Sequence, residues 1–409
     1  MSLHSDASSV GSQTARRVSA YVAVGPRLAN YTLDYATESL VAGTTIDLPA
    51  RLQYAWPNPL QPVLYAACAD RTTGLEGNPF YLCPLLRAAS GELSLAGDPV
   101  PLPSRPVHLT VDAVGRHVLT AYKGAPGLSV HNLASDGTIS EEVPRADNFD
   151  FGEDPHQVRV LPSDRHAILV ARGRRTPDGQ ALSRGALKVV RFDRGIVENV
   201  TTISPDVSSC PDGFNPRHLD FHPALPLVFV TLETQNRLCV FRMSETELEP
   251  EPLYSVTTLQ DPDNIRPRQD CGTVHVHPAG RYVYVANRND GYIGGHKGPS
   301  WLTPSPVPVF PGGENNVAIF ELDESGRPVL IQNADSHGLH PRTFAMDPEA
   351  RILVAANLAP SKMPKGDSLV DVPANLAIFR VGSDGRLTYL RRNPVDVGPE
   401  MIWWMGLVA

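Results

Sequence analysis

The chain has 409 residues, 42% of them hydrophobic and 20% charged, which suits a folded globular protein and excludes wholesale disorder. Its net charge of −8 argues against a nucleic-acid partner, although it leaves room for a local basic pocket. No run approaches the ~18 uninterrupted apolar residues of a membrane span.

Residues 1–17 are rich in Ser and other small polar residues and lack the apolar core of a secretory signal, so they read as a disordered tail. Five cysteines, an odd number with no CxxC pair, read as reduced thiols, and the expected location is cytoplasmic. From residue 18 onward the chain is expected to form one domain, 18–409. It opens with SAYVAVG, ANYTLDY and TTIDLP, which read as strands.

One phrase then recurs: a loop, a short alternating strand, a turn and a strongly apolar strand. Its copies start near Ala50 (ARLQYAWPNPLQPVLYAAC), Pro106 (PVHLTVDAVGRHVLTAYKG), Pro155 (PHQVRVLPSDRHAILVARG) and Pro216 (PRHLDFHPALPLVFVTLE). Further copies start at Cys271 (CGTVHVHPAGRYVYVANRN) and Pro341 (PRTFAMDPEARILVAANL), and a truncated one at Pro399 (PEMIWWMGL). Third strands such as GLSVHNL, ALKVVRF and NNVAIF follow, several leading into Asp-Gly or Ser-Gly hairpin signals. Four antiparallel strands per repeat predict an all-β, seven-bladed β-propeller. The truncated last copy lacks outer strands and residues 18–48 lack an inner one. The ring should therefore close by joining N-terminal outer strands to a C-terminal inner strand at Met401–Leu407.

Antiparallel order places the start of each inner strand on the same rim as the loop between the second and third strands. Gly173–Gly185, Asp290–Asn315 and Ala359–Ala374 give that rim most of the unusual loop length, which marks it as the candidate functional face. On it stand His156, Arg217 and Arg342 at strand starts, and Glu233 and Arg288 at strand ends. Guanidiniums in a funnel suit a small anionic ligand, and a histidine suits proton transfer near neutral pH. Plainer readings exist for each. The arginines could tie blades together, His156 could be a structural hydrogen-bonder, and Glu233 could be a charge partner.

Pairs such as His218/His222, His275/His277 and His337/His340 invite a metal reading, but no carboxylate or cysteine sits at companion spacing, so structural histidines are expected. Trp403 and Trp404 are expected to pack in the closing blade, with channel lining as the alternative. The glycine-rich stretch Gly294–Ser300 follows no strand-to-helix transition, and no GxSxG elbow is present.

In GFNPRHLDFHP, HPAGRYVYVANRN and HGLHPRTFAMDPEARILVAAN the chain resembles the seven-bladed β-propeller lactonase family, over nearly its whole length from about Ala20. That family includes propeller-type 6-phosphogluconolactonases and 3-carboxy-cis,cis-muconate lactonizing enzymes. The resemblance implies a site in the central mouth, free of metal and cofactor, with His156, Arg217 and Glu233 as catalytic residues and Arg288 and Arg342 binding substrate. Two departures stand out: a 26-residue Pro/Gly-rich stretch after the Asn-Arg phrase, and a long Ala359–Ala374 loop. The expected activity is hydrolysis of the lactone of a small anionic substrate. The alternatives are lactone formation, as in a muconate cycloisomerase, and a non-catalytic binding propeller; the fold is compatible with all three.

Overall fold

Seven sheets surround a central channel in the computed structural model, which describes residues 18–70, 80–174, 182–205, 213–244, 247–289, 309–310, 312–366 and 368–409. The N-terminal tail, Gly294–Ser300 and most of the Asp290–Asn315 stretch lie outside the described residues. Among those described there is no helix. Each sheet is a blade of strands paired antiparallel in order from the channel outward.

The inner and second strands are Leu52–Pro57 and Val63–Ala69 in blade 1, Pro106–Val111 and His117–Tyr122 in blade 2, and Pro155–Val160 and His166–Ala171 in blade 3. Blade 4 has Pro216–Phe221 and Leu227–Leu232, blade 5 Gln269–Val276 and Tyr282–Asn289, and blade 6 Leu339–Met346 and Ile352–Ala359. Blade 1 departs from the four-strand plan, because the short strands Leu93–Leu95 and Val100–Pro101 both pair with its third strand.

The second strands lack polar alternation because both of their faces are covered. Ile168 and Val170 of blade 3 pack with Leu219, Val228 and Val230 of blade 4 in one inter-blade core. On the far rim, Asp112 and Asp347 fix the tight turns between inner and second strands by accepting backbone N–H groups, among them the two at the start of each second strand. Those donors are Arg116 and His117 for Asp112, and Arg351 and Ile352 for Asp347.

Blade 7 is made from both chain ends, as the orphaned phrases require. Its inner strand Ile402–Val408 pairs with Ser19–Val24, in register from Ser19 opposite Val408 to Ala23 opposite Trp404. Val22 and Ile402 pack with Val354 of blade 6, while Tyr21 and Trp404 pack with Leu52 and Leu64 of blade 1. Glu400 adds a two-pronged ion pair to Arg51, with Arg51 Nε 3.0 Å from Oε2 and Nη2 2.6 Å from Oε1. Deleting residues 400–409 opens the ring and bares two sheet edges. Aggregation on size exclusion or a collapse of the melting transition is expected; a melt within a few degrees of wild type would disprove the closure.

The Ala359–Ala374 stretch, expected to be a loop, is instead largely a hairpin, Ser361–Lys365 with Ser368–Val372. Alternating Val370 and Val372 and a glycine turn at Gly366 with φ +61° explain it. Phe310 N–H donates to Lys362 O at 2.8 Å, so the insertions of blades 5 and 6 meet on the loop-rich rim.

Candidate active site in the central mouth

All seven inner strands carry a register irregularity at the loop-rich end, where extra residues on the inner strand face too few on the second strand. The residues left out of register are Gln53, Val107, His156, Arg217 with His218, Gly272 with Thr273, Arg342, and Trp403. A bulge re-aims a side chain out of the sheet's alternation. Here the result is a ring of side chains around the channel mouth. Six of these residues, Gln53, Val107, His156, Arg217, Arg342 and Trp403, line a cavity of about 330 Å³. The seventh position, Gly272, leaves space: a Cβ there would meet Arg288 Nε at 3.2 Å and Arg217 Nη1 at 3.3 Å.

A second ring comes from the ends of the second strands. Lys123, Arg172, Glu233 and Arg288 each stand one residue past the partner of the residue that precedes the bulge, in blades 2 to 5. The first three line the cavity, together with Arg105 from the approach to blade 2. The wall thus has five cations, Arg105, Lys123, Arg172, Arg217 and Arg342, against one carboxylate, Glu233.

Glu233 organises the cations. Arg217 Nε lies 2.8 Å from its Oε1, Arg172 Nη1 is 2.7 Å from Oε2, and Arg288 Nη2 also binds Oε1. Burial alone would raise the carboxyl pKa, but Arg172, Arg217, Arg288 and Arg342 outweigh it and hold Glu233 ionised, far below the usual carboxylate range. Arg172 is gripped from its other side by Asp154 Oδ2 at 2.6 Å. Arg217, only 2% exposed, has its pKa lowered to about 9 by burial and by the charge of Arg288.

His156 stacks on His218, ring centroids 5.5 Å apart and planes within 19°. Burial, then Arg172 and Arg217, push the His156 pKa well below the ordinary imidazole value. His218 and His340 are shifted the same way, by burial first and then by Arg217 and Arg288 respectively. The structure thus alters one expectation. Burial and the neighbouring guanidiniums disfavour the charged form of the mouth histidine, which favours the neutral imidazole. Arg342 stacks over Trp403 at 3.6 Å.

The five residues singled out from sequence therefore converge on one place, with a division among them. His156, Arg217, Glu233 and Arg342 face the cavity, whereas Arg288 stands behind Glu233, 3% exposed, with Nη1 3.1 Å from His340 Nε2. Sequence reasoning missed Arg105, Lys123, Arg172 and Gln53 as cavity residues, and for Trp403 the alternative placement, lining the channel, is the one found. Lys123 and Arg172 carried a usable signal, since they occupy the position of Glu233 and Arg288 in the blades before.

The remaining histidine pairs serve the scaffold. His222 Nε2 lies 2.8 Å from Gly280 O, and its Nδ1 accepts from the Ala224 and Leu225 N–H groups. His275 Nε2 lies 3.1 Å from Phe344 O. Among the described residues, no cluster of three His, Cys, Asp or Glu side chains is arranged for a metal. The other end of the channel is walled mainly by aromatic groups, Tyr54, Trp56, Phe344 and Trp404, with the Arg159–Asp220 ion pair set against the Trp56 ring.

Fold and site together define a propeller whose central mouth concentrates positive charge around an uncharged histidine. Residues 11–362 match the family described as "Lactonase, 7-bladed beta-propeller", and the chain belongs to the seven-bladed β-propeller lactonase family. A 6-phosphogluconolactonase of Bacillus subtilis is 27% identical over 306 residues, which is 74% of this chain and 73% of that protein. A 6-phosphogluconolactonase of Yersinia pestis is 23% identical over 371 residues, 90% and 92% of the two chains. Among solved structures, the periplasmic gluconolactonase of Pseudomonas aeruginosa superposes with a TM-score of 0.71 at 19% identity, covering 96% of this chain and 99% of that one. At that identity the likeness shows the fold. No helix is long and apolar enough to cross a membrane among the described residues.

Proposed function

We propose that the protein hydrolyses the lactone of a small anionic sugar acid in the central mouth, with His156 as general base. The observation that carries this reading is the uncharged His156 set among five cations around a cavity of about 330 Å³. A convergent, enclosed set of polar groups also supports catalysis over a binding propeller, for which a broad apolar rim would be the better fit.

In this scheme His156 takes a proton from water, and the resulting hydroxide attacks the lactone carbonyl carbon. Negative charge develops on the carbonyl oxygen, where Arg217 and Arg342 stabilise it. Collapse of the tetrahedral adduct breaks the bond to the ring oxygen. That oxygen takes the proton from His156, and the new carboxylic acid releases its proton to solvent. Glu233 moves no proton. Held ionised by three guanidiniums, it is a weak base, and it orients Arg172 and Arg217. Arg288 supports the substrate pocket through Glu233.

The relatives named 6-phosphogluconolactonase favour hydrolysis of a phosphorylated sugar lactone over lactone formation from a muconate. Unbridged, buried Cys68, Cys83, Cys239 and Cys271 suit a reducing cytoplasm. A panel of sugar lactones followed by acid release and carboxymuconates followed by ultraviolet absorbance tests the assignment. Turnover of the lactones alone is expected; turnover of a muconate alone would replace hydrolysis by cyclisation.

A further inference from the structure

The cations of the mouth fall into two groups. Arg172, Arg217 and Arg288 are tied to Glu233, and Arg342 lies against Trp403. Arg105 is held differently. Its Nη2 donates to a neutral acceptor, Gln53 Oε1, at 3.2 Å, and its buried Nε meets no acceptor of the protein. No carboxylate lies in ion-pair contact with Arg105 among the described residues. The opposing charge that acts on it is Asp154, which is already clasped by Arg172. A guanidinium drawn partly out of water against a neutral amide carries a desolvation cost that its own partners do not offset, which an oxyanion in the cavity would relieve.

Position adds a second argument. Arg105 and Lys123 belong to blade 2 and Gln53 to blade 1, whereas Arg342 stands on blade 6, across the ring. The guanidiniums that bear on His156 are Arg172, Arg217 and Arg342, with His218 beside them. The blade 1–2 wall is therefore the side of the cavity across from Arg342, next to Arg172 and His156 of blade 3. At the bulge positions of these blades stand Gln53 and Val107, which are uncharged, so the charge comes from the flanking Arg105 and Lys123.

We propose that Arg105, Lys123 and Gln53 form a second oxyanion subsite, which holds an anionic substituent of the substrate remote from the lactone carbonyl. For a six-carbon sugar acid that substituent is a phosphate monoester or a carboxylate on the terminal carbon. The subsite rests on the reading that the mouth accepts a sugar acid, and it does not depend on which reaction follows.

Binding of the open-chain acids to the full-length protein, measured by calorimetry, tests it without turnover. Gluconate has a neutral terminal carbon, glucarate a carboxylate there, and 6-phosphogluconate a phosphate. Wild type should bind at least one of the doubly anionic acids about 10-fold or more tighter than gluconate, and Arg105→Gln should reduce that advantage by about 10- to 100-fold. Arg105→Lys should keep part of it, because a point charge replaces the fork. Preference for 6-phosphogluconate or for glucarate identifies which oxyanion the subsite takes. Equal affinity of wild type for all three acids would overturn the proposal. So would an Arg105→Gln protein with an unchanged melting temperature that weakens gluconate as much as the doubly anionic acids. A protein that shows the Arg105-dependent advantage but hydrolyses no lactone keeps the subsite and loses the hydrolytic assignment. One that hydrolyses gluconolactone without the advantage does the reverse.

Discussion

Replacing His156 with glutamine is expected to lower kcat for lactone hydrolysis by about 10²–10⁴, the usual contribution of a positioned general base. KM should change little, because glutamine preserves the approximate shape and a hydrogen-bonding group at the bulge of blade 3. The expectation follows from geometry as well as chemistry. His156 is the residue left out of register between Pro155 and Gln157, so its ring projects into the cavity rather than into an inter-blade core. Stacking on His218 fixes its plane. Steady-state rates on one lactone, wild type and variant together, decide the point. A variant with near-wild-type kcat would move the base to another group.

Removing the carboxylate of Glu233 should have the largest effect on stability of any single substitution in the mouth. Arg172, Arg217 and Arg288 converge on it while it is itself 7% exposed. Stripping one member from such a buried network leaves like charges facing one another, at a cost of about 3–5 kcal/mol. Glu233→Ala is therefore expected to shift the urea midpoint strongly downward and to abolish activity as the guanidiniums separate. Adding Arg288→Gln to it should recover part of the stability, since one of the stranded charges is gone. The pH dependence has a defined sign. The Glu233 carboxyl is ionised far more readily in the folded protein than the ordinary value of about 4.3. Its contribution is thus fully present above that value and is lost in acid as pH falls through the depressed pKa. The Glu233→Ala protein should lack this component of the acid-unfolding curve. Additive losses in the double variant, or a midpoint unchanged by Glu233→Ala, would contradict the network.

The propeller was legible because its information is repeated. A phrase that recurs from Ala50 to Pro399, with complementary fragments at the two ends, leaves few ways to pair the strands. The positions of His156, Arg217 and Arg342 were legible for a related reason: each follows a proline at or near the start of an inner strand. What single phrases could not convey was the bulge. It is a property of pairing between two strands, visible only once Pro155 is set opposite Ala171 and Gln157 opposite Val170. The same holds for Arg172 and Lys123, whose places on the cavity wall depend on register rather than on their own motifs. Arg105 precedes Pro106 in a connection between blades, where no periodicity constrains side-chain direction. Arg288 illustrates the opposite difficulty. Its motif marks the correct rim, but whether it faces substrate or supports Glu233 depends on the gap left by Gly272 and on the pairing with Glu233. The hairpin Ser361–Val372 escaped because its strands lie outside the repeat and take their order from the hairpin itself and its contact with Phe310.

The central claim is that an uncharged histidine, kept so by burial and by the cations around it, activates water in this mouth. The dependence of kcat/KM on pH for a lactone without a phosphate group tests it most directly, since no ionisation of the substrate intrudes. Burial and the charges of Arg172 and Arg217 disfavour protonation of His156. The rate should therefore hold as pH falls through about 6.5, the ordinary imidazole value, and decline only in more acidic solution. An acid limb centred near 6.5 would contradict the account.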